Sequence, residues 1–157
     1  MKQATLAIIV RDGKILLGEK KKGEIGTGTL NGPGGKLDAG ETLVDCLVRE
    51  TKEELDISLD PTALKKIAII TFCVQEVPDF EVHCYLTDTF TGELKETADM
   101  IPAWYDINAM PFDRMLGADK EFFPRLVRGE MFCAHVYYRE RAAAFERIEF
   151  LPYVDTQ

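Results

Sequence analysis

The start of the chain alternates between short apolar runs and turn-forming residues. Apolar runs at residues 4–10 and 14–18 flank residues 11–13, which have the sequence Arg-Asp-Gly. An Asp-Gly pair between two such runs is a strong signal for a tight hairpin turn. Residues 20–35 are rich in glycine, threonine and lysine, and they end in the sequence Asn-Gly-Pro-Gly-Gly. The pattern therefore predicts two strands, followed by a loop with room for one short strand.

Helical spacing of apolar residues begins after Gly40 and continues to about Leu55. β-Branched and aromatic residues then dominate residues 66–74 and 80–89, on either side of a Val-Pro-Asp sequence at residues 77–79. We therefore expect a helix followed by two strands, with the turn between the strands at residues 77–79.

The last third of the chain carries signals for one more helix and several strands. A strand-like segment around Trp104 precedes a second helix over about residues 120–128, and strands over residues 131–138 and 145–151 follow it. Helices and strands without a repeating strand-helix-strand order predict an α+β fold or an α/β/α sandwich with a mixed sheet, and not a Rossmann fold. At 157 residues, without repeats or linkers, we expect one domain over residues 1–157.

Composition and charge narrow the class of ligand. Hydrophobic residues make up 46% of the chain, which is enough for a substantial core, so disorder is not expected. The net charge of −8 argues against a nucleic-acid polymer as partner, because binding one requires many Lys and Arg side chains. A small anionic ligand would need local cations or bound metal. The apolar run at residues 7–10 is too short for a signal peptide or membrane helix, so we expect a cytoplasmic protein without a membrane partner.

Three glutamates share one side of the first predicted helix. At about 100° per residue, Glu53 and Glu54 fall about 60° and about 40° to either side of Glu50. Like charges at this spacing repel one another, so the cluster becomes favourable when a cation sits between the carboxylates. Hard oxygen ligands suit Mg²⁺ or Mn²⁺. The alternative for an arbitrary Glu-x-x-Glu-Glu sequence is a solvated acidic face.

The residues around these glutamates extend the pattern. Gly35 is followed after five residues by Glu41 and after seven more by Arg49, which begins the sequence Arg-Glu-Thr-Lys-Glu-Glu-Leu-Asp-Ile. This arrangement resembles the Nudix signature, Gly-x5-Glu-x7-Arg-Glu-U-x-Glu-Glu-x-Gly-U with U apolar, and it matches that signature at every charged position. It departs at Thr51, where the signature has an apolar residue, and at Asp56, where it has the glycine that ends the helix. Aspartate tolerates the left-handed conformation of that position better than most residues.

The resemblance implies a Nudix fold, which is an α/β/α sandwich with a mixed sheet and a characteristic loop and helix. It also implies a hydrolase that needs Mg²⁺, with Mn²⁺ as a substitute. Metal would bridge the phosphates of a nucleotide while water, deprotonated by a carboxylate, attacks phosphorus and releases pyrophosphate. Arg49 would pair with a glutamate to orient it, and Glu41 would hold the loop. The implied metal ligands are the Gly35 carbonyl and the carboxylates of Glu50, Glu53 and Glu54.

Outside the signature, the chain resembles the MutT-homologue branch of the family. That branch hydrolyses oxidised purine nucleoside triphosphates such as 8-oxo-dGTP in the nucleotide pool. The resemblance implies a small-molecule nucleotide as partner, bound by a monomer or a homodimer. The stretches that carry the likeness are residues 16–18, 20–22, 31–36, 82–83, 87–88, 100–104 and 122–124.

The branch also implies which residues hold the substrate. Asn31 would hydrogen-bond the purine edge, Asp119 would read the exocyclic and ring nitrogens, and Lys20 would approach the sugar or phosphates. The implied binding set is Thr5, Lys20, Asn31, Gly34, Lys36, Phe80 and Asp119, in which Thr5 and Phe80 line the base pocket. Asp99 would add a metal ligand or base, so that the implied catalytic set is Arg49, Glu50, Glu53 and Asp99.

These residues also have simpler interpretations. Asn31 beside a glycine is typical of a turn, Lys20 is typical of a solvated hairpin, and Asp99 is a candidate for an ordinary loop carboxylate. The loop at residues 115–119 differs from the branch. At the positions of Leu116 and Ala118, mammalian-type enzymes have a Trp and a second Asp. Since stacking on a base is worth ~1–3 kcal/mol, this difference affects affinity or base choice.

Two other functions are alternatives, and the altered loop motivates the first of them. One is a Nudix hydrolase of another substrate, such as an unmodified dNTP, a dinucleoside polyphosphate or a nucleotide sugar. The other is a non-catalytic nucleotide-binding module, which is disfavoured because the carboxylates of the signature are all present.

Overall fold

The computed structural model describes residues 1–23, 25–155 and 157. Short 3₁₀ turns at Pro61–Ala63 and Phe112–Arg114 accompany the helices and strands. In chain order the helices and strands are β1 (Lys2–Arg11), β2 (Lys14–Lys20), β3 (Leu30–Asn31), α1 (Leu43–Leu55), β4 (Ser58–Leu59), β5 (Lys65–Val74), β6 (Val77–Thr87), β7 (Phe90–Thr91), β8 (Met100–Asp106), α2 (Asp119–Val127), β9 (Phe132–Glu140) and β10 (Ala143–Leu151).

A curled mixed sheet lies at the centre of the fold. Within the residues described, seven strands follow the order β10-β9-β5-β6-β1-β2-β3, and β8 is the eighth strand, which also pairs with β2. β1 runs parallel to β6 and β5 runs parallel to β9, whereas the other pairs in this sheet are antiparallel. The short strands β4 and β7 pair with each other away from this sheet.

The two faces of the sheet are covered by different helices. Along β1, Leu6 and Ile8 belong to a core that includes the buried aromatic side chains of α2. The alternate residues Ala7 and Ile9 belong to a second core with Leu47 of α1. Because successive strand residues point to opposite faces, the two helices lie on opposite sides of the sheet. The predicted α/β/α sandwich with a mixed sheet is confirmed.

Helix α1 begins and ends at residues suited to those positions. The Thr42 hydroxyl accepts a hydrogen bond from the backbone N–H of Asp45 at 3.1 Å, which caps the N-terminus. Asp56 follows the helix with φ of 58° and donates its N–H to the Lys52 carbonyl at 3.0 Å. Thr51 is fully buried. Thr51 therefore takes the buried position at which the Nudix signature has an apolar residue. Asp56 takes the left-handed position at which the signature has glycine.

The hairpin between β5 and β6 corrects one prediction. Its turn lies at Gln75 and Glu76, which have φ of 49° and 69°, and not at residues 77–79. Residues 77–79 instead begin β6, with Pro78 opposite Cys73 beside a register shift. Proline suits the first residues of a strand, so Pro78 in this sequence marks the start of the strand and not the turn.

The remaining differences are small. Helix α2 begins one residue earlier than predicted, at Asp119, and ends at Val127. The segment around Trp104 is strand β8, and the predicted short strand in the glycine-rich loop is β3. β4 and β7 are two-residue strands, which are too short to produce an alternating pattern in the sequence. No helix among the residues that the structure describes has the length and apolarity needed to cross a bilayer.

Candidate active site

A cavity of about 340 Å³ opens on the α2 side of the sheet and extends to the loop before α1. One end is polar and includes Lys20, Lys22, Gly34, Gly35, Lys36, Glu50, Glu54 and Asp99. The other end is mainly aromatic and apolar and includes Phe72, Phe80, Leu116, Asp119, Phe122, Phe123 and Tyr138. Asn31 also lines the cavity. This division suits a ligand that has a charged part and a planar apolar part.

The loop before α1 is held against β1 by backbone hydrogen bonds. The N–H of Ala7 donates to the Pro33 carbonyl at 2.8 Å, and the N–H of Thr5 donates to the Gly35 carbonyl at 2.9 Å. A side chain at Gly34 would place its Cβ 2.0 Å from the Thr5 carbonyl oxygen. This close approach requires glycine, and it fixes the loop beside the glutamates of α1.

Two of the helix glutamates lie against Gly34 and Gly35 of this loop. The Gly34 N–H donates to Glu54 Oε1 at 2.8 Å. A Cβ at Gly35 would lie 2.5–2.7 Å from the carboxylate atoms of Glu50. The sequence of the loop therefore brings backbone N–H and carbonyl groups next to two carboxylates.

Arg49 connects three of the glutamates. Its Nε donates to Glu41 Oε2 at 2.6 Å and its Nη2 donates to Glu41 Oε1 at 2.9 Å. Its Nη1 donates to Glu50 Oε1 at 2.9 Å and reaches Glu53 at 3.4 Å. Hydrogen bonds from Arg49 lower the pKa of Glu41 to about 2. Arg49 thus joins the end of the loop before α1 to the carboxylates of the helix.

The three helix glutamates differ in burial. The side chain of Glu53 is 51% exposed, whereas Glu54 is buried. Burial raises the pKa of Glu54 to about 8, the Gly34 N–H opposes this shift, and the neighbouring Glu50 carboxylate adds to it. Burial also raises the pKa of Glu50, against the effect of the Arg49 guanidinium. The two carboxylates are thus poorly stabilised as a pair of anions.

A divalent cation would relieve this instability. In the described part of the chain, no three Asp, Glu, His or Cys side chains already converge on one coordination point. Instead, Glu50 contacts Arg49, Glu54 contacts Gly34, and the Gly35 carbonyl accepts from Thr5. The residues nevertheless fit a hard cation, because the absence of a side chain at Gly35 lets the Glu50 carboxylate approach the backbone, near the buried Glu54 carboxylate that repels it.

Lysines surround the polar end. Lys20 Nζ donates to the Ile25 carbonyl at 2.7 Å, and burial lowers the pKa of Lys20 while Glu54 and Glu50 oppose that shift. Lys22 Nζ lies 2.8 Å from Asp99 Oδ1. Lys36 also lines the cavity. These are the local cations that an anionic ligand would need on a chain with net negative charge.

Asn31 and Asp119 are two further polar residues that line the cavity. Asn31 Oδ1 accepts from the Gly32 N–H at 2.8 Å, so its amide NH₂ group is the part that is left to meet a ligand. Asp119 Oδ2 accepts from the Leu116 N–H at 3.2 Å. Only 3% of Asp119 is exposed, and burial raises its pKa to about 8. Burial therefore favours the protonated carboxyl, which can both donate and accept hydrogen bonds.

The other expected binding residues also reach the cavity. Phe80 forms part of its wall. Thr5 lines it as well, but the Thr5 hydroxyl lies 3.4 Å from the Gly35 carbonyl and 3.4 Å from Cys46 Sγ. Glu53, unlike Glu50 and Glu54, is not among the residues that line the cavity, although it extends from the same helix. Metal binding by Glu53 would require the side chain to turn inward from solvent.

Sequence reasoning missed several cavity residues. Tyr138, whose hydroxyl accepts from the Ala118 N–H at 3.0 Å, comes from a strand that was predicted without any role in the site. The ion pair between Asp79 and Arg141 also borders the cavity, and its partners are 62 residues apart. The aromatic residues at 122 and 123 lie in a stretch that the branch shares, so a signal existed only for those positions.

The chain is similar to known proteins over most of its length. Residues 1–126 match the NUDIX domain. The oxidized purine nucleoside triphosphate hydrolase of Danio rerio is 36% identical over 139 residues, which are 88% of this chain and 87% of that protein. The protein of the same name from Mus musculus is 34% identical over 138 residues, covering 87% and 86%. A solved MutT protein from Bacillus halodurans has a TM-score of 0.81 at 18% identity, covering 96% of this chain and 97% of that one, which shows the same fold.

Proposed function

The chain belongs to the Nudix family, and on that premise we propose that it hydrolyses oxidised purine nucleoside triphosphates to the monophosphate and pyrophosphate. The observation that carries this proposal is one cavity that Glu50, Glu54 and the lysines line together with Asn31 and Asp119. The relatives in Danio rerio and Mus musculus, which are named for this activity, support it.

Nudix hydrolases generally use divalent metal. We propose Mg²⁺ here, with Mn²⁺ as a substitute. When bound, the metal would neutralise phosphate charge and activate water as a nucleophile. The residues that would hold it are Gly35, Glu50, Glu53, Glu54 and Asp99.

The chain's own groups have separate tasks in this proposal. Arg49 holds Glu41 and Glu50 in place through its forked guanidinium. Lys20 and Lys36 hold the phosphates at the polar end, beside the backbone of Gly34. A carboxylate of the catalytic set, Glu50, Glu53 or Asp99, accepts the proton of the attacking water.

The base would bind at the aromatic end. The neutral carboxyl of Asp119 suits a purine edge that presents a donor next to an acceptor, since it offers both groups itself. The Asn31 amide would donate to a second acceptor on the base. Thr5 and Phe80 would form the wall beside the ring.

Product analysis tests the reaction directly. Incubation with 8-oxo-dGTP and Mg²⁺ should release pyrophosphate and the monophosphate in equal amounts, as measured by chromatography and phosphorus NMR. Release of inorganic phosphate with the diphosphate would contradict the proposed position of cleavage. The absence of any metal-dependent turnover would favour the non-catalytic nucleotide-binding module.

One observation favours a second candidate function. Leu116 and Ala118 lie in the loop next to Asp119, and neither gives the aromatic surface or second acid that the branch has there. A Nudix hydrolase with this loop would accept unmodified dNTPs, dinucleoside polyphosphates or nucleotide sugars. A substrate panel ranked by kcat/KM separates the two candidates.

The proposal also covers the domain organisation, cellular location and partners of the protein. We infer one domain over residues 1–157, because β9 and β10, beyond the family match, pair into the same sheet as β5. We place the protein in the cytoplasm as a monomer or homodimer, without a nucleic-acid polymer or a membrane as partner. Its partner would be a small-molecule nucleotide.

A further inference from the structure

An ion pair crosses the rim of the cavity at its aromatic end. Arg141 lies in the turn between β9 and β10, and its Nε and Nη2 donate to the two carboxylate oxygens of Asp79 at 2.7 and 2.6 Å. Asp79 is in β6, and β5 lies between β6 and β9 in the sheet. The Arg141 side chain therefore spans the end of β5, and both residues of the pair line the cavity.

The plane of this guanidinium is fixed by its contacts. Two parallel hydrogen bonds to one carboxylate hold the orientation of an arginine, which a single contact does not. The guanidinium also lies over the Phe80 ring, 5.4 Å from its centroid. Arg141 lines the cavity, and its side chain is 38% exposed, whereas that of Asp79 is only 18% exposed.

We propose that Arg141, oriented by Asp79, is the surface on which the base of the nucleotide stacks. A guanidinium held flat stacks well on aromatic rings, because it is planar, delocalised and weakly hydrated. Leu116 lines the same cavity and presents only an aliphatic side chain there. Arg141 would thus be a specificity-determining residue that favours large planar bases. The inference rests on the proposed function for the purine nucleotide as ligand.

A second ion pair on this edge of the sheet provides a matched control. Arg147 of β10 donates to both carboxylate oxygens of Glu76 at 2.9 Å, so it also joins the β9–β10 hairpin to the β5–β6 hairpin. Arg147 lies directly opposite Tyr137 and over its ring, at 3.8 Å from the centroid. Since Tyr138, the next residue, faces the cavity, Arg147 lies on the opposite face of the sheet.

The experiment compares binding of a nucleotide with binding of its sugar phosphate alone. Calorimetry with Mg²⁺ present would give Kd for 8-oxo-dGMP and for 2-deoxyribose 5-phosphate. Arg141→Met should weaken binding of 8-oxo-dGMP about 5- to 30-fold and leave the sugar phosphate within about twofold. Arg141→Lys should resemble Arg141→Met, because an ammonium group has no plane to stack. Arg147→Met and Glu76→Gln should change neither Kd by more than about twofold.

The other possible results distinguish failure of the stacking inference from failure of the proposed function. If the wild-type protein binds both ligands equally, the base site and the proposed purine substrate fail together. If the wild-type protein prefers 8-oxo-dGMP and Arg141→Met keeps that preference, only the stacking inference fails. Equal losses in Arg141→Met and Arg147→Met would also overturn it, since the pair would then act through the stability of the sheet edge alone. Thermal melting of each variant confirms that the compared proteins are folded.

Discussion

The guanidinium of Arg49 is shared between Glu41 and Glu50, with Nε 2.6 Å from Glu41 Oε2 and Nη1 2.9 Å from Glu50 Oε1. Glu41 precedes helix α1 and Glu50 lies within it, so one side chain joins the loop of the Nudix signature to its helix. The forked geometry allows three contacts at once, and lysine lacks this geometry.

Replacing Arg49 with lysine should therefore weaken metal binding. We expect the apparent affinity for Mg²⁺, measured from the metal dependence of pyrophosphate release, to fall about 10- to 100-fold, as for other residues that orient metal ligands. The Lys52→Met variant is a suitable control, because Lys52 pairs with Asp56 on the solvent side of the same helix. Unchanged metal dependence in Arg49→Lys would show that Arg49 does not orient the ligands.

The Glu53→Gln substitution should affect catalysis without affecting the stability of the fold. Because Glu53 is half exposed, its loss should leave the melting temperature nearly unchanged. We expect pyrophosphate release to be abolished, since the amide is a weaker ligand and cannot accept a proton. Asp45→Asn changes an exposed acid on the same helix and serves as the control. Wild-type rates in Glu53→Gln would contradict the role of Glu53 in metal binding.

Replacing Thr51 with an apolar residue should stabilise the fold. Its hydroxyl oxygen is buried and has no hydrogen-bond partner among the residues described. Thr51→Val removes this group at nearly constant volume, so the free energy of unfolding should rise by about 1 kcal/mol in denaturant titrations. In contrast, Thr62→Val removes an exposed hydroxyl that is bonded to Asp60 and should give no gain. A loss of stability in Thr51→Val would mean that the hydroxyl has a partner in solution.

The buried carboxyl of Asp119 makes stability depend on pH. Burial raises its pKa from 3.8 to about 8, so the folded state holds this proton over a range in which the unfolded state releases it. The free energy of unfolding should therefore fall as the pH rises from about 4 to about 8. Glu54 contributes in the same direction, because its pKa is also raised to about 8.

The Asp119→Asn variant isolates this contribution. Asparagine does not titrate, so the loss of stability between about pH 5 and about pH 8 should be smaller in the variant than in the wild-type protein. Denaturant titrations at the two pH values measure the difference. If the free energy of unfolding falls by the same amount between the two pH values in both proteins, the folded protein ionises Asp119 as readily as the unfolded chain does.

The site was predictable where local spacing determines geometry. Glu50, Glu53 and Glu54 share a helix, so the helical period alone is enough to place them on one side of it. Asp56 was predictable from the signature, because it takes the position of the glycine that ends the helix in the left-handed conformation. The roles implied by the family for these residues stay predictions that the variants above test.

Contacts between distant parts of the chain were not predictable in this way. Asp79 and Arg141 meet because β5 and β9 are parallel neighbours, and no local pattern encodes that order of strands. The pKa of Asp119 depends on burial beneath its own loop and on the cavity around it, which the sequence does not display. The hairpin turn was misplaced because Pro78 is common both in turns and at the start of strands.

The central claim is the preference for oxidised purines, and relative kcat/KM values test it most directly. Pyrophosphate release would be measured for 8-oxo-dGTP, 2-hydroxy-dATP, dGTP, dATP and a pyrimidine triphosphate under identical Mg²⁺ conditions. We predict at least about a tenfold preference for an oxidised purine over its unmodified counterpart, since Asn31 and Asp119 in their proposed roles would read the hydrogen-bonding edge of the base. Equal kcat/KM values for 8-oxo-dGTP and dGTP, and for 2-hydroxy-dATP and dATP, would contradict the claim.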